Sequence, residues 1–419
     1  MVGETNFGRE GRGDGGAAVP GGGGNPTGTG PLAGVRVVEL AGIGPAPFCG
    51  MLLADLGAEV VRVDRPDGAH LIDDGRHDLL GRGKRSVAID LKDPRGAAAV
   101  RDLAATADVL IEGFRPGVAE RLGVGPADCA ARNPALVYGR MTGWGQDGPL
   151  AHTAGHDIGY IAVTGVLHSI GRAGSPPSIP LNLLGDFGGG GMYLAVGVLA
   201  ALLRVARGGA GQVVDAAIVD GTTHLATFVH AMLAAGRWRD ERGANLLDSG
   251  APYYEVYEAS DGGYLAVGAL EPKFYAEFLR LLGVPPEVGA REPDRWPELR
   301  ETLAAAFRTR TRDAWATVFA DSDACVAPVL SLREAAAHQQ LAARRTFVTV
   351  DGVQQPAPAP RFAGTPAAMP GRPALRGEHT EEVLLEWGVA NTADLLASRV
   401  VVQRQEHVGE QVAVDTASR

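Results

Sequence analysis

PLAGVRVVELAGIGPAPFCGMLLADLGAEVVRVDRP, residues 31–66, decides the fold. The β-branched run LAGVRVVEL ends near Leu40, GIGPAP interrupts it, FCGMLLADLG continues as an apolar helical stretch, and AEVVRVDRP returns to strand. Short apolar runs bounded by Gly and Pro read as buried strands. A helix between two of them is the unit from which parallel sheets are built. The alternation continues with SVAIDL (86–91), the helical DPRGAAAVRDLAATA, the strand ADVLIEGF and the strand LVYGRMTG (136–143). The expected class is α/β, with a Rossmann-like open parallel sheet in a large domain and a smaller α+β domain after it.

The first strand–helix turn invites a dinucleotide reading, and its residues argue against one. GIGPAP lacks the third Gly of GxGxxG, and its prolines remove N–H donors that would cradle a pyrophosphate. No GxxxxGK[ST], GxSxG or HExxH motif is present either, which leaves a nucleotide-triphosphate enzyme, a serine hydrolase or a zincin without support.

Residues 1–30 are dominated by Gly and carry too little apolar surface to offset ordering, so they read as a disordered leader. The large domain is expected over 31–215, the small α+β domain over 216–340, a return to the large domain over 341–390 and a C-terminal tail over 391–419. Within the small domain, APYYEVYEASDGGYLAVGAL reads as a hairpin. The tetraglycine 188–191 reads as a loop opening a long apolar helix, Met192 to Arg207.

Composition narrows the partners. A net charge of −10 is wrong for a general nucleic-acid binder. Only Lys84, Lys92 and Lys273 are lysines, so an anion site would be built mostly from guanidinium groups, which grip phosphate in a bidentate fork. Cys49, Cys129 and Cys325 are far apart and form no CxxC or Cys/His cluster, which speaks against a disulfide frame or a metal site. No secretory signal is evident, and the apolar stretch Met192–Leu203 is shorter than the roughly 20 residues a bilayer needs. The expectation is a cytoplasmic protein without a membrane or nucleic-acid partner.

Three segments stand apart chemically. AGHDIGY (154–160) sets His156 in a loop, LLGDFGGGGMYLAV (183–196) sets Asp186 before a glycine run, and GALEPKFY (268–275) sets Glu271 at a strand end beside Pro272. Taken alone, Asp186 reads more readily as a helix cap, His156 as a loop hydrogen-bonding residue and Glu271 as a surface carboxylate. Together they match one pattern.

These segments, with the opening quoted above and the closing GEHTEEVLLEWG, resemble the family III CoA-transferase (CaiB/BaiF) superfamily from Pro31 to about Gly388. RMTGWGQDGPLAHTAGHDIGYIAVTGVLHSIG and PLNLLGDFGGGGMYL are most similar to its α-methylacyl-CoA racemase branch. The resemblance implies that Asp186 and His156 are paired bases that invert the carbon next to a thioester carbonyl through an enolate. His156 would act on the S face and Asp186 on the R face. It further implies that Glu271 orients His156, that N–H groups near Asp157 hold the enolate oxygen, and that CoA enters as part of the substrate with no separate cofactor and no metal. Arg65 would face the adenine and its 3′-phosphate. Ile89, Asp90, Leu91, Lys92, Gly113, Phe114, Arg115 and Arg121 would line the CoA path. Gly155, Asp157, Ile158, Gly159 and Tyr160 would complete the substrate site. One departure is Gly159, where racemases more often carry Asn. An interlocked homodimer is implied as well. The alternatives are a CoA-transferase with Asp186 as an acyl-anhydride nucleophile and a non-catalytic CoA-thioester-binding protein.

Overall fold

The computed structural model describes residues 29–68 and 75–405. The expected leader, apart from its last two residues, and the tail beyond residue 405 lie outside the described residues. Strands β1 (Arg36–Leu40), β2 (Glu59–Asp64), β3 (Arg85–Ile89), β4 (Val109–Glu112), β5 (Val137–Thr142) and β6 (Val213–Ala217) form one parallel sheet in the order β3-β2-β1-β4-β5-β6. Every residue of β1 to β4 after the first positions is buried, as expected of strands covered on both faces. Helix α1 (Pro45–Asp55) covers one face, and α2 (Pro94–Thr106) covers the other. Pro45 opens α1 at a position where a missing N–H costs nothing.

Short helices α3 (Val118–Arg121) and α4 (Pro126–Ala130) link β4 to β5. The crossover from β5 to β6 carries α5 (Asp157–Val163), a π-helix over Leu183–Gly191 and α6 (Met192–Ala206). The tetraglycine is therefore helical, not the loop expected from the sequence. Glycine weakens isolated helices, but here its missing side chains allow close packing. A Cβ on Gly190 would stand 3.0 Å from Pro45, and one on Gly191 2.7 Å from Phe48. The continuous run Leu183–Ala206 spans 24 residues with mean hydropathy 1.6, enough to cross a membrane by length and composition, where the sequence reading saw a shorter stretch. Leu194, Val198 and Ala201 nevertheless pack into the sheet core. This is a core helix with one uncovered face.

After β6 come α7 (Ile218–Leu225) and α8 (Thr227–Ala234), then an antiparallel sheet of β7 (Tyr254–Glu258), β8 (Tyr264–Gly268) and β9 (Val326–Val329). Its own core gathers Tyr257, Phe278, Phe307, Trp315 and Phe319 around α9 (Pro272–Leu282), α10 (Trp296–Phe307) and α11 (Arg312–Phe319). The hairpin β10 (Phe347–Val350) and β11 (Val353–Pro356) leads the chain back, with Arg82 Nη1 donating to Gln355 Oε1 at 3.0 Å and to Pro356 O at 2.6 Å. Residues 391–405, expected as tail, are built into the fold instead. They form the helix Thr392–Ala397 and β12 (Val401–Val402), which pairs antiparallel with β3 and covers that sheet edge. Val400 and Val401 are buried there, which is why a segment that looked solvated is ordered.

Candidate active site

The strand order reverses at β1, whose neighbours are β2 and β4. In open α/β sheets ligands bind at such a switch point, outside the carboxyl ends of the strands. The loops after β1 and β4 meet there, since a Cβ on Gly113 would lie 3.3 Å from the Ala46 Cβ. Gly44 turns the chain from β1 into α1 at φ 71°, and its vacant side is taken by Asp186, whose Oδ2 lies 3.0 Å from the Cβ position.

Asp186 sits in the first turn of the π-helix and is half-buried. Single turns of π-helix recur at functional sites, and here the wider winding extends over the whole segment. The Asp186 N–H donates to Asp157 Oδ2 at 2.6 Å, and Asn182 Nδ2 donates to Asp186 Oδ2 at 3.4 Å. A Cβ on Gly185 would collide with the Asp157 carboxylate, so the close approach depends on that glycine. Burial pushes the Asp186 carboxyl above the ordinary carboxylate range, and the Asp157 charge pushes it further. The Asn182 hydrogen bond and the His156 ring beside it act in the opposite sense.

His156 is exposed and caps the start of α5 in extended conformation, φ −136° and ψ 169°. Asp157, the next residue, turns inward and is buried, and its Oδ1 has no hydrogen-bond partner among the described residues. Tyr160 braces this loop from below. Its ring meets Trp144 edge-on at 4.7 Å, and a Cβ on Gly155 would stand 2.6 Å from it. Burial and the Asp186 charge push the Tyr160 hydroxyl up, while Arg115 pulls it down. These couplings bring His156, Asp157, Tyr160, Asp186 and Arg115 together. Gly159 has open space around its Cβ position, so packing does not demand the departure from Asn.

The remaining expected residues divide. Arg65, Lys92, Gly113, Arg115 and Arg121 are exposed on the loops and the short helix that follow β2, β3 and β4. Asp90 Oδ1 accepts from the Lys92 N–H at 2.9 Å, shaping the turn after β3. Ile89 is fully buried opposite Val401, and Leu91 and Phe114 pack partly against the same core. Successive residues of a strand point to opposite faces, and the Ile89 side chain is spent on the core instead of facing a ligand. Ile158 is exposed beside His156. Glu271 lies at the start of α9, exposed and within electrostatic reach of Cys325. Among the described residues no hydrogen bond or ion pair joins it to His156 in the single chain. A cavity of about 1010 Å³, bordered by Val166, Ile170, Leu184, Leu225, Leu233 and Tyr254, opens next to this region, and neither His156 nor Asp186 lines it.

Asn182 was missed from sequence. Its spacing of four from Asp186 puts both on one helical face, a signal hidden because the glycine run did not read as helix.

A switch-point site with a half-buried carboxylate on a glycine-rich helix belongs to a known class. The model of CoA-transferase family III matches residues 32–380, and the chain belongs to that family. It is similar to "Alpha-methylacyl-CoA racemase" of Mus musculus, 47% identical over 366 residues, 85% of this chain and 93% of the relative. It is also similar to "Succinyl-CoA:glutarate CoA-transferase" of Mus musculus, 30% identical over 404 residues, 90% of this chain and 91% of the relative. A solved CAIB/BAIF family protein from Brucella suis superposes with a TM-score of 0.75 at 27% identity, over 86% of this chain and 100% of that one.

Proposed function

We propose that this chain is a racemase interconverting the R and S forms of 2-methylacyl-CoA thioesters. The observation that carries the reading is that exposed His156, at the start of α5, and half-buried Asp186 are drawn into one corner through Asp157, whose carboxylate takes the Asp186 N–H at 2.6 Å. The higher identity to a racemase than to a transferase supports it.

Inversion needs a base on each face of the α-carbon, because a single base tends to return the proton to the side it left. In one direction neutral His156 takes the α-proton, the C–H electron pair moves onto the thioester oxygen as an enolate, and protonated Asp186 delivers its proton to the opposite face. The reverse direction exchanges the roles. A carboxyl raised above its ordinary range holds a proton more readily than an exposed aspartate, which suits an acid that must donate. N–H groups at the start of α5 would hold the enolate oxygen. The thioester brings its CoA with it, and the cycle moves only protons.

The uncovered face of α6 carries Met192, Val196 and Leu203, with Leu181 and Leu183 nearby. Such a stripe suits a partner of the same kind, and a homodimer would let Glu271 of one chain reach His156 of the other. Free Cys49 and Cys129 suit the reducing cytoplasm, where we place the enzyme.

The test is incubation with one enantiomer of a 2-methylacyl-CoA, followed by chiral analysis and by hydroxylamine trapping. Approach to an equal mixture without modification of Asp186 fits racemisation. Trapped Asp186 with unchanged configuration would instead make the chain a transferase.

A further inference from the structure

Residues 164–182 join helix α5, which His156 caps, to the π-helix that carries Asp186, so they form the covalent spacer between the two bases. Residues 172–179 within it are exposed, and burial does little to hold them. The spacer nevertheless ends in an uncommon shape. Leu181 lies at φ 59°, in the left-handed region that bulky side chains rarely adopt. Such a conformation persists only where the surroundings impose it. The turn it makes delivers Asn182, whose Nδ2 donates to Asp186 Oδ2 at 3.4 Å and whose carbonyl oxygen accepts from the Phe187 N–H at 3.2 Å.

The restraint comes from beyond α8. Arg242 Nη1 donates to His168 O at 2.7 Å, and Arg242 Nη2 donates to Ser175 O. The guanidinium thus spans a loop that the Ser178 N–H closes on Ile170 O at 2.9 Å. The two segments meet closely because glycine lines the contact. A Cβ on Gly171 would stand 3.0 Å from Arg242 Cδ, and one on Gly243 2.4 Å from the Ala173 nitrogen. Arg242 is held in turn on both sides of its own main chain. Buried Asn245 donates through Nδ2 to Glu241 O at 3.0 Å, and the Gly243 N–H donates to Asp248 Oδ2 at 3.0 Å. A second tie joins Arg172 Nη1 to Glu255 Oε1 at 2.8 Å, but its Arg172 end lies in solvent, where screening weakens it. Arg242 is the firmer hold.

We propose that Arg242 is a positioning residue that clamps the spacer, so that Leu181 keeps its turn and Asn182 holds the Asp186 carboxyl in its place in the site. The inference rests on the racemase reading above and names, within it, what fixes one of the two bases. Small displacements of a reacting group are costly, about a hundredfold in rate for 1 Å, so a clamp remote from the reacting carbon can set how well Asp186 works.

The experiment incubates the full chain in deuterated water with the enantiomer from which His156 removes the proton, for wild type, Arg242→Met, Arg242→Lys and Asn182→Ala. Initial rates are taken for two products, inverted and retained configuration, each with deuterium at C2. Asp186 delivers the deuteron that inverts, and solvent-exposed His156 delivers the one that restores the original face. The ratio of retained to inverted product does not depend on how much enzyme is folded, so a loss of stability alone leaves it unmoved. Arg242→Met and Asn182→Ala should each raise the ratio roughly tenfold, for a shift of Asp186 smaller than 1 Å. Arg242→Lys, which keeps a charged donor for one carbonyl, should fall between them and wild type. A wild-type ratio in either Arg242→Met or Asn182→Ala overturns the clamp and leaves the racemase reading standing. If Arg242→Met yields no folded chain, Arg242→Lys and Asn182→Ala decide on the same ratio. A wild type that neither inverts nor exchanges overturns the racemase reading, and the clamp with it.

Discussion

The main-chain N–H of Asp186 donates to the carboxylate of Asp157 at 2.6 Å, so two acidic residues 29 positions apart share one corner of the site. One of them anchors the backbone of the other while opposing its ionisation. That arrangement holds the Asp186 main chain in place and raises the proton affinity of its carboxyl together. It separates two tasks that a single carboxylate could not perform.

Asp186→Asn should fold at least as stably as wild type, because it removes a charge that burial and Asp157 both disfavour. Racemisation should fall by about a hundredfold or more, the usual contribution of a positioned acid–base group. Thermal denaturation and a chiral assay on the same sample check both halves.

The pH profile carries the sign of the coupling. Since the Asp186 carboxyl is raised, its deprotonated form is lost at higher pH than for an exposed aspartate as the solution is acidified. Asp157→Asn keeps an acceptor oxygen for the Asp186 N–H and removes the like charge. Assayed with the enantiomer from which Asp186 removes the proton, it should therefore move the acid limb of kcat/KM to lower pH, whereas an unmoved or rising limb would show that Asp157 does not tune Asp186.

Among the described residues no hydrogen bond or ion pair joins Glu271 to His156 within one chain, which allows a complementation test. His156→Ala and Glu271→Ala chains should each be impaired alone. Unfolded together and refolded as an equal mixture, they should regain roughly a quarter of wild-type sites if the two residues meet across a two-fold interface. No recovery would place both residues in one chain's site.

Beneath the site, Lys84 Nζ donates to Glu39 Oε2 at 2.6 Å and to Pro47 O at 2.9 Å in the first turn of α1, with both charged groups fully buried. Lys84→Met strands a buried carboxylate and should cost about 3–5 kcal/mol in urea unfolding. Adding Glu39→Gln should recover most of that loss.

His379 supplies a stability switch in mild acid. Its Nδ1 accepts from the Ser86 N–H at 3.3 Å, and burial lowers its proton affinity. The unfolded chain takes up a proton at the ordinary imidazole value of about 6.5 while the folded chain resists. Stability is therefore complete above that value and falls with decreasing pH, by at most about 1.4 kcal/mol per pH unit, until the folded imidazole protonates too. His379→Gln should flatten this slope in urea titrations.

Much of the fold was readable because its signals are local. β-branched runs, proline and glycine punctuation and the APYYEVYEASDGGYLAVGAL hairpin each declare themselves within a few residues. What sequence could not supply depends on distant partners. The glycine run reads as loop until Pro45, Phe48 and Asp157 are known to press against it. Residues 401–402 read as tail until β3 offers an edge. His156 and Asp186 were linked by resemblance alone, since no local rule brings positions 30 apart together.

The most direct measurement is proton exchange at the α-carbon. A single enantiomer of a 2-methylacyl-CoA is incubated with enzyme in deuterated water, and both configuration and deuterium at C2 are followed. Two opposed bases predict that inverted product carries deuterium at C2 and that His156→Ala and Asp186→Ala each block inversion. Configuration retained with no deuterium at C2 would contradict the racemase assignment.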